Sequence, residues 1–444
     1  MAWMDTKTDG VSTLPASEYN AMTNFTKRKA IGYMMYIDGS NYNLLNCSTG
    51  DITTSTVAAD LIQSAVNAIG LTGGRIFFRN GTYNITHSID VSGCIVTIEG
   101  ENRYMTILQL ANSANCNMFI IPATSLIQFP LALYNIWLYG NPLHNTLGSG
   151  IYQTNTGGDA ICKNVTLHNC SIMSFPEYNI YTESTWGWKV YGCYLENGGI
   201  ASIYIHRTSI GEGAFTNCKI AAQSTILLHI DGTVLGYDRF TACYFDQADH
   251  NAVLDESTHG QTIFTGCHIR DSGQEGIYIN APDDVITGCV FWLNSANTNN
   301  TYSDIKVGAS GSNCIITGCN ITGKGSSPQT KYGVEIIAGA SNVQVNGNLI
   351  TGQGTLGIID GGTLSLIHHN RGWITEGWGT LTLPANATTV DVNHGCSAIP
   401  LSVICTPQQT NPAYWVTAVT STKFTLNIGA STGVDRHWYW EAFV

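Results

Sequence analysis

Charged side chains are scarce in this 444-residue chain, where they make up 11% of the residues. Lys, Arg and Glu, which favour helices, are too few for a helical protein, whereas the abundant Gly, Asn, Thr and Ser favour strands joined by turns. Basic residues are fewer than acidic ones, with 19 Lys and Arg against 31 Asp and Glu. The formal net charge of -12 therefore argues against nucleic acid or an anionic membrane surface as a partner.

Other signals are also missing. The first residues, "MAWMDTKTDG", hold no basic segment followed by an apolar one, so we expect no secretory signal peptide. The uncharged run 117–141 is long enough for a membrane span, but its two prolines and its alternating pattern predict buried strands instead. No CxxC and no Cys/His spacing typical of zinc occurs, so the sequence predicts neither a metal site nor a cofactor.

What the chain does contain is a repeat marked by cysteine. The repeat positions, 22 to 30 residues apart, are Cys170, Cys193, Cys218, Cys243, Cys267, Cys289 and Cys319. An apolar residue stands three positions before each cysteine and another two positions after it, which indicates short strands with period 2. The same slot is assigned to Asn348 and Asn370 downstream and to Asn135 upstream.

A unit of this length with short strands and no helix cannot bury its apolar face alone, so successive units must stack as a solenoid. The stack predicts that the cysteines form a ladder of buried, reduced thiols. Neighbouring coils lie about 4.8 Å apart with parallel side chains, whereas a disulfide needs Cβ atoms about 3.5 to 4.5 Å apart and turned toward each other.

These units resemble the right-handed parallel β-helices of the pectate lyase superfamily, in which an inward-facing Asn ladder occupies the bend between the second and third strands of each coil. The entry segment is similar as well: "TVAADLIQSAVNAIG" reads as an amphipathic N-terminal capping helix, followed by "GGRIFFRNGTYNITHSIDV" as the first strands. The resemblance implies an all-β fold with a right-handed parallel β-helix over 51–375.

The two ends suggest further segments. Residues 1–50 resemble, in general form, the N-terminal attachment or capping part of phage and archaeal-virus tail proteins. From 376 to 444 the repeat stops and six short strand patterns predict a small C-terminal β-sandwich. Such modules resemble those of viral spikes and fibres, which implies a homotrimer at the virion tail or outside the cell, with a polysaccharide as partner.

In the resembled family the ligand cleft lies on the outer face of the first-strand sheet, which here is the Gly-Ile-x-Ile strand. Counting eleven residues from each ladder cysteine gives Tyr181, Tyr204, His229, Leu254 and Tyr278, and counting thirteen gives Glu183, His206, Asp231, Glu256 and Asn280. "NAVLDES" leaves open whether Asp255 or Glu256 points outward.

If the polar column is catalytic, the chemistry it can support is glycoside hydrolysis, which needs two carboxyl groups about 5 Å apart for retention or about 6.5 to 9.5 Å apart for inversion. The candidate catalytic residues are Asp231, Glu256, Asp255, Glu183 and His206. The candidate substrate-binding residues are Tyr181, Tyr204, His229, Tyr278 and Trp186. Asp231 is the central candidate because it stands between His206 and the Asp255/Glu256 pair.

Several functions fit these patterns. The leading prediction is a viral tail spike or fibre that binds cell-surface glycans, and that hydrolyses them if the polar column is catalytic. The alternatives are a microbial polysaccharide-degrading enzyme, acting as a hydrolase or lyase, and a structural adhesin on which the column is only the solvated face of a sheet. A lyase has less support, because Arg207 is the only arginine near the column.

Overall fold

The computed structural model describes residues 32–123, 130–155, 164–222, 224–410 and 413–444. The fold is nearly all β: a parallel β-helix of about eleven turns, with one helix near its N-terminal end and small antiparallel sheets at the C-terminus. This confirms the predicted fold class. Residues 1–31, which form most of the predicted N-terminal segment, lie outside the described residues.

The chain divides into two compact units, 1–219 and 220–444. Each coil contributes three strands, named here in the order that begins with the Gly-Ile-x-Ile strand. In the first unit the first-strand sheet holds Ile89–Asp90, Phe119–Ile121, Ile151–Gln153, Tyr178–Thr182 and Ala201–Arg207. The second-strand sheet holds Gly74–Phe78, Val96–Gly100, Leu131–Tyr134, Val165–His168, Lys189–Tyr191 and Ala214–Thr216. The third-strand sheet holds Gly81–Ile85, Thr106–Leu110, Trp137–Tyr139, Ser171–Met173 and Tyr194–Glu196.

The N-terminal end of the solenoid is closed by a hairpin and a helix. Strands Tyr33–Asp38, Asn41–Asn46 and Ile52–Ser55 are antiparallel, and the first of them pairs in parallel with Gly74–Phe78. The helix Ala58–Ile69 lies close to the predicted position. It buries residues at helical spacing, namely Ala58, Ala59, Leu61, Ile62, Ala65, Val66 and Ile69. It ends at Gly70, whose positive φ of 52° suits glycine, and the 3-10 turn Gly70–Thr72 follows.

The second unit continues the same three-strand pattern after Lys219–Ala221. Its first-strand sheet holds Ile226–Gly232, Val253–Asp255, Ile277–Ile279, Ile305–Val307, Tyr332–Ile336 and Leu356–Asp360. Its second-strand sheet holds Arg239–Thr241, Ile263–Thr265, Val285–Thr287, Ile315–Thr317, Gln344–Asn346 and Leu366–His368. Its third-strand sheet holds Tyr244–Asp246, His268–Arg270, Val290–Trp292, Asn320–Thr322 and Leu349–Thr351.

The C-terminal domain contains all six predicted strands, arranged as two three-stranded antiparallel sheets. One sheet holds Glu376–Leu383, Arg436–Phe443 and Ser402–Pro407, and the other holds Thr389–Asn393, Lys423–Ile428 and Tyr414–Thr417. Alternate residues point into a shared core that includes Leu383, Phe424, Leu426, Trp438 and Trp440. Within the described residues, no helix of the chain is long and apolar enough to cross a membrane.

The ladder occupies the bend between the second and third strands, and the residue before each ladder position has a positive φ. The repeat cysteines are buried free thiols, and burial raises the pKa of Cys193 well above its ordinary value. Asn348 and Asn370 continue the ladder, with the Asn348 side-chain amide donating to Asn370 Oδ1 at 3.0 Å.

The assignment of Asn135 to the ladder was wrong by one residue. Tyr134 pairs with His168, so Asn135 stands beside Asn169, and its side chain accepts a hydrogen bond from Asn169 Nδ2 at 2.7 Å. Ile136, which is fully buried, therefore takes the ladder slot in that coil. Both asparagines adopt the positive φ that this bend requires.

Candidate functional site

In the first unit, the outer face of the first-strand sheet carries a column of tyrosines. Tyr152, Tyr181 and Tyr204 follow one another in register on three successive coils. The strands alternate, so the neighbouring isoleucines fill the core while the tyrosines face outward. The rings of Tyr152 and Tyr181 are stacked with centroids 4.6 Å apart, and Tyr204 meets Tyr181 edge to face at 5.4 Å.

Two more rings extend this column into a cluster. Tyr178 lies 5.5 Å from Tyr181 and 5.2 Å from Tyr204, measured between ring centroids. The His206 ring lies 6.1 Å from that of Tyr204. We call Tyr152, Tyr178, Tyr181 and Tyr204 the tyrosine platform. Its half-buried rings are held by one another, so a ligand can pack on them without ordering them first.

Carboxylates border the tyrosine platform. Glu183 Oε1 accepts a hydrogen bond from the Tyr181 hydroxyl at 3.2 Å, and Glu183 Oε2 accepts one from the Asn155 backbone N–H. Burial and the charge of Glu183 raise the pKa of Tyr181 above its usual range, and burial with Glu183 and Glu177 does the same for Tyr152. The phenols therefore stay neutral, so their hydroxyls remain available as hydrogen-bond donors.

Glu183 and His206 lie at the same level of neighbouring coils, as the predicted column requires, because Thr182 pairs with Ile205. Trp186 is half-buried in the turn that follows, where its backbone N–H donates to Ser184 Oγ at 3.4 Å. Trp188, expected inside, is fully buried.

In the second unit, Asp231 and Glu256 occupy neighbouring coils at the same level. Ile230 pairs with Asp255, and the register continues one step because the Glu256 N–H donates to the Ile230 carbonyl at 2.9 Å. Asp231 is half-buried and Glu256 is exposed. His229 Nε2 lies 3.6 Å from Glu256 Oε2, so the two form an ion pair when the imidazole is protonated.

Asp255 does not face outward, which corrects one of the two alternatives left open by the sequence. Its side chain is fully buried and accepts hydrogen bonds from Ser257 Oγ at 2.7 Å and from Thr262 Oγ1 at 2.7 Å. A carboxylate satisfied in this way inside the coil cannot reach a ligand on the outer face. Glu256 is the outward carboxylate at this step.

Beyond Glu256 the same face holds a charged cluster around Lys306. Lys306 Nζ lies 3.4 Å from Glu275 Oε1, 3.9 Å from Glu335 Oε2 and 5.7 Å from the centre of the Tyr278 ring. The pKa of Tyr278 is raised, first by burial and then by the charges of Glu256, Glu275 and Glu335, against the lowering effect of Lys306. Tyr278 and Glu256 therefore share one electrostatic environment.

Counting from the ladder missed several residues of this face. Tyr152, Lys306 and Glu335 stand in register with the predicted column, but longer bends separate them from their ladder positions. The strand pattern itself could have found them, since "GIYQ" and "GVEI" repeat the Gly-Ile-x-Ile alternation. Tyr178 carried no such signal, because it lies three residues before Tyr181 on the same strand.

No family model matches the chain, and no curated protein matches it. Several solved structures are similar to it. The A-module of Azotobacter vinelandii mannuronan C-5 epimerase is 14% identical with a TM-score of 0.47, covering 70% of this chain and 95% of that one.

Two phage tailspikes are similar to the same extent. The enzymatically active domain of tailspike protein 2 of bacteriophage CBA120 is 12% identical with a TM-score of 0.48, covering 94% of this chain and 77% of that one. The tailspike gp49 of Acinetobacter baumannii bacteriophage Fri1, a capsular polysaccharide depolymerase, is 10% identical with a TM-score of 0.43, covering 86% of this chain and 82% of that one. At such identities the similarity concerns the fold alone.

Proposed function

We propose that this chain binds a polysaccharide on the outer face of the first-strand sheet in its first unit. The observation that carries the proposal is the tyrosine platform, in which four rings pack against one another on one face. The C–H faces of a pyranose ring pack on aromatic rings, and phenol hydroxyls and carboxylates at the edge meet the sugar hydroxyls. A neutral or cationic glycan suits a chain with a net charge of -12.

The proposed setting is a viral tail spike or fibre that acts at the virion tail or outside the cell as a homotrimer. This part rests on the tail-like form of the N-terminal segment and on the small β domain that follows the solenoid. A microbial polysaccharide-degrading enzyme and an adhesin without chemistry are the competing proposals.

We further propose that a glycan on the outer face of the second unit is hydrolysed at Asp231 and Glu256. Neighbouring coils stand about 4.8 Å apart, close to the separation of about 5 Å that retaining glycosidases use. The proposed roles are nucleophile for Glu256, which has His229 Nε2 3.6 Å from its Oε2, and general acid for Asp231. Glu183 and His206 are proposed to contact sugar on the tyrosine platform.

Binding is tested with purified bacterial capsular and O-antigen polysaccharides, using Tyr181→Ala and Tyr204→Ala. Each substitution removes a ring from the tyrosine platform, so affinity should fall about 10-fold or more. Tyr191→Ala is the matched control, because Tyr191 stacks on His168 at 5.2 Å on the second-strand sheet of the same unit. It should bind like the wild type.

The outcomes separate the competing proposals. Equal loss of binding in all three variants would point to a general effect on folding and contradict the proposed face. Release of new reducing ends would support hydrolysis, and products that absorb ultraviolet light as unsaturated sugars would support a lyase. Binding without any product would leave the adhesin as the function.

A further inference from the structure

Two consecutive histidines and a glutamate meet where the last coil runs into the C-terminal domain. His368 ends the last second strand, His369 follows in the bend, and Glu376 begins the first strand of the domain. His368 Nδ1 lies 2.7 Å from His369 Nδ1, and His369 Nε2 lies 3.4 Å from Glu376 Oε2. One ligand atom from each of the three residues can be chosen so that all lie within 4.8 Å of one another.

Histidine is an unusual residue type for the position that His369 occupies in this chain. His369 occupies the bend position before the ladder residue and has φ 56°. The corresponding residues of the other coils are Asn135, Asn169, Gly192, Asn217, Ala242, Gly266, Gly288, Gly318 and Gly347. Glycine adopts this left-handed conformation freely, and asparagine and histidine are enriched in it among the other residues. The His369 side chain is 73% exposed there.

The contact between the two rings restricts their protonation. Nitrogens 2.7 Å apart need one N–H and one lone pair, since two protonated nitrogens would repel each other. A carboxylate stands on the far side of His369. His368, His369 and Glu376 can each donate a lone pair, and one ligand atom from each lies within 4.8 Å of the others, so a cation can bind between them after a small movement of the side chains.

We propose that His368, His369 and Glu376 bind a divalent late first-row transition metal, with Zn²⁺ as the natural occupant. Imidazole nitrogen and carboxylate oxygen are preferred Zn²⁺ ligands, whereas Mg²⁺ and Ca²⁺ favour oxygen ligands alone. Zn–N bonds of about 2.0 to 2.1 Å place ligand atoms about 3 Å apart, so the three ligand atoms, which lie within 4.8 Å of one another, need to close in on the ion. The site revises the expectation of no metal and does not depend on the proposed function.

The position of the site gives it a structural role. Residues 370–375 connect the last coil to the C-terminal domain, and the Ser397 N–H donates to the Ile374 carbonyl at 2.9 Å across this joint. A metal held by His368 and His369 on one side and Glu376 on the other fastens the same joint. The exposed His369 leaves a coordination position open to water, which suits a reversible staple.

The test uses tag-free full-length protein stripped with a chelator and titrated with ZnCl2 by calorimetry. The wild type should bind about one ion per chain, and Zn²⁺ should raise the midpoint of thermal unfolding. His369→Asn is the sharpest variant, since asparagine already occupies this bend at Asn169 and Asn217 and keeps the backbone conformation. It should weaken binding by at least about 10-fold, as should His368→Gln.

His437→Gln is the matched control, because His437 is an exposed histidine of the C-terminal domain outside the cluster. It should bind Zn²⁺ like the wild type. Co²⁺ titration adds a spectrum that separates nitrogen and oxygen ligands from thiolate ligands. The proposal is overturned if the wild type takes up no Zn²⁺ at about 100 μM, if His369→Asn binds normally, or if Co²⁺ shows thiolate bands.

Discussion

The carboxylates on the outer face of the first-strand sheet differ in the contacts that their oxygens already make. Glu183 accepts hydrogen bonds from Tyr181 and from the backbone of Asn155, so it supports the tyrosine platform. Glu256 is exposed and has His229 beside it at 3.6 Å. Glu256 is therefore proposed for acid and base chemistry in preference to Glu183.

Replacing Asp231 by Asn should abolish hydrolysis without weakening glycan binding. The amide keeps the size of the side chain but cannot release a proton, and the loss of an acid/base group typically lowers the rate by at least about 10²-fold. Reducing-end release measures the effect. Asp249→Asn, at an exposed turn of the same unit, is the control and should cleave normally. Equal cleavage by Asp231→Asn would remove Asp231 from the site.

A second residue-scale effect concerns Asp304, which is fully buried. Its Oδ1 accepts from Asn294 Nδ2 at 2.9 Å and its Oδ2 from Thr330 Oγ1 at 3.0 Å, yet burial raises its pKa to about 6. The folded state therefore holds the proton more tightly than the unfolded state, where the pKa is about 3.9. Its contribution to stability is fully present below about pH 4 and is lost as the pH rises through about 6.

Asp304→Asn should remove this pH dependence. Asparagine keeps an acceptor for Asn294, and the Thr330 hydroxyl can accept from the new amide. The stability of the variant relative to wild type should rise between pH 4 and pH 7 by up to about 3 kcal/mol, the equivalent of about two pKa units. Urea unfolding at several pH values measures it. A difference that stays constant across this range would show that Asp304 titrates normally.

At the scale of the coil, the ladder serves as a hydrogen-bonding element as well as an apolar one. Asn348 Oδ1 accepts from the Cys319 N–H at 2.8 Å, and its amide donates to the Ile316 carbonyl at 3.0 Å. In another coil a cysteine is the acceptor instead, and it is a weaker one: the Cys267 N–H points at Cys289 Sγ at 3.4 Å. Cys and Asn can alternate at the ladder position because both side chains can accept a hydrogen bond from this backbone N–H.

Asn348→Ala should therefore destabilise the solenoid more than Asn348→Cys does. Alanine leaves a buried N–H and a buried carbonyl without their partners, at a cost of about 2 to 4 kcal/mol. Cysteine restores a weak acceptor and a weak donor and fills more of the space. Chemical unfolding of both variants gives the comparison. Equal losses would mean that the slot needs only volume.

The coil periodicity was readable from the sequence because burial enforces it, and it located the three strands and the ladder. The periodicity did not predict the register at positions where the local backbone conformation or side-chain hydrogen bonds decide it. Asn135 resembled a ladder residue, but the bend needed a positive φ one position earlier, so Ile136 turned inward. Asp255 and Glu256 are both carboxylates, and only the hydrogen bonds of Ser257 and Thr262 settle which of them is inside.

The candidate site was only partly readable for a related reason. Contacts across coils depend on the lengths of the intervening bends, which vary, so Lys306 and Glu335 could not be counted from the ladder. The cluster of His368, His369 and Glu376 joins residues of a coil to a residue of another domain. Spacing along the chain does not reveal such a convergence.

At the scale of the whole molecule, the C-terminal domain leaves large apolar side chains in solvent. The exposed ones include Trp378 (80%), Leu401 (91%), Ile399 (57%), Ile404 (51%) and Tyr439 (57%). Trp378 and Ile404 flank Glu441 on one sheet, because both pair with it across the central strand. Apolar groups gathered in this way favour association with another chain.

The proposed homotrimer would cover this surface symmetrically, since a closed ring of three copies leaves no copy with an unpaired contact. Light scattering should give about three times the 47.9 kDa of one chain across micromolar concentrations. Ile404→Glu places a charge in the apolar contact and should shift the mass toward one chain, whereas Thr389→Glu, an exposed change on the other sheet, should leave it unchanged. A single-chain mass for the wild type would contradict the trimer, and a two-chain mass would require a twofold arrangement of the same apolar face.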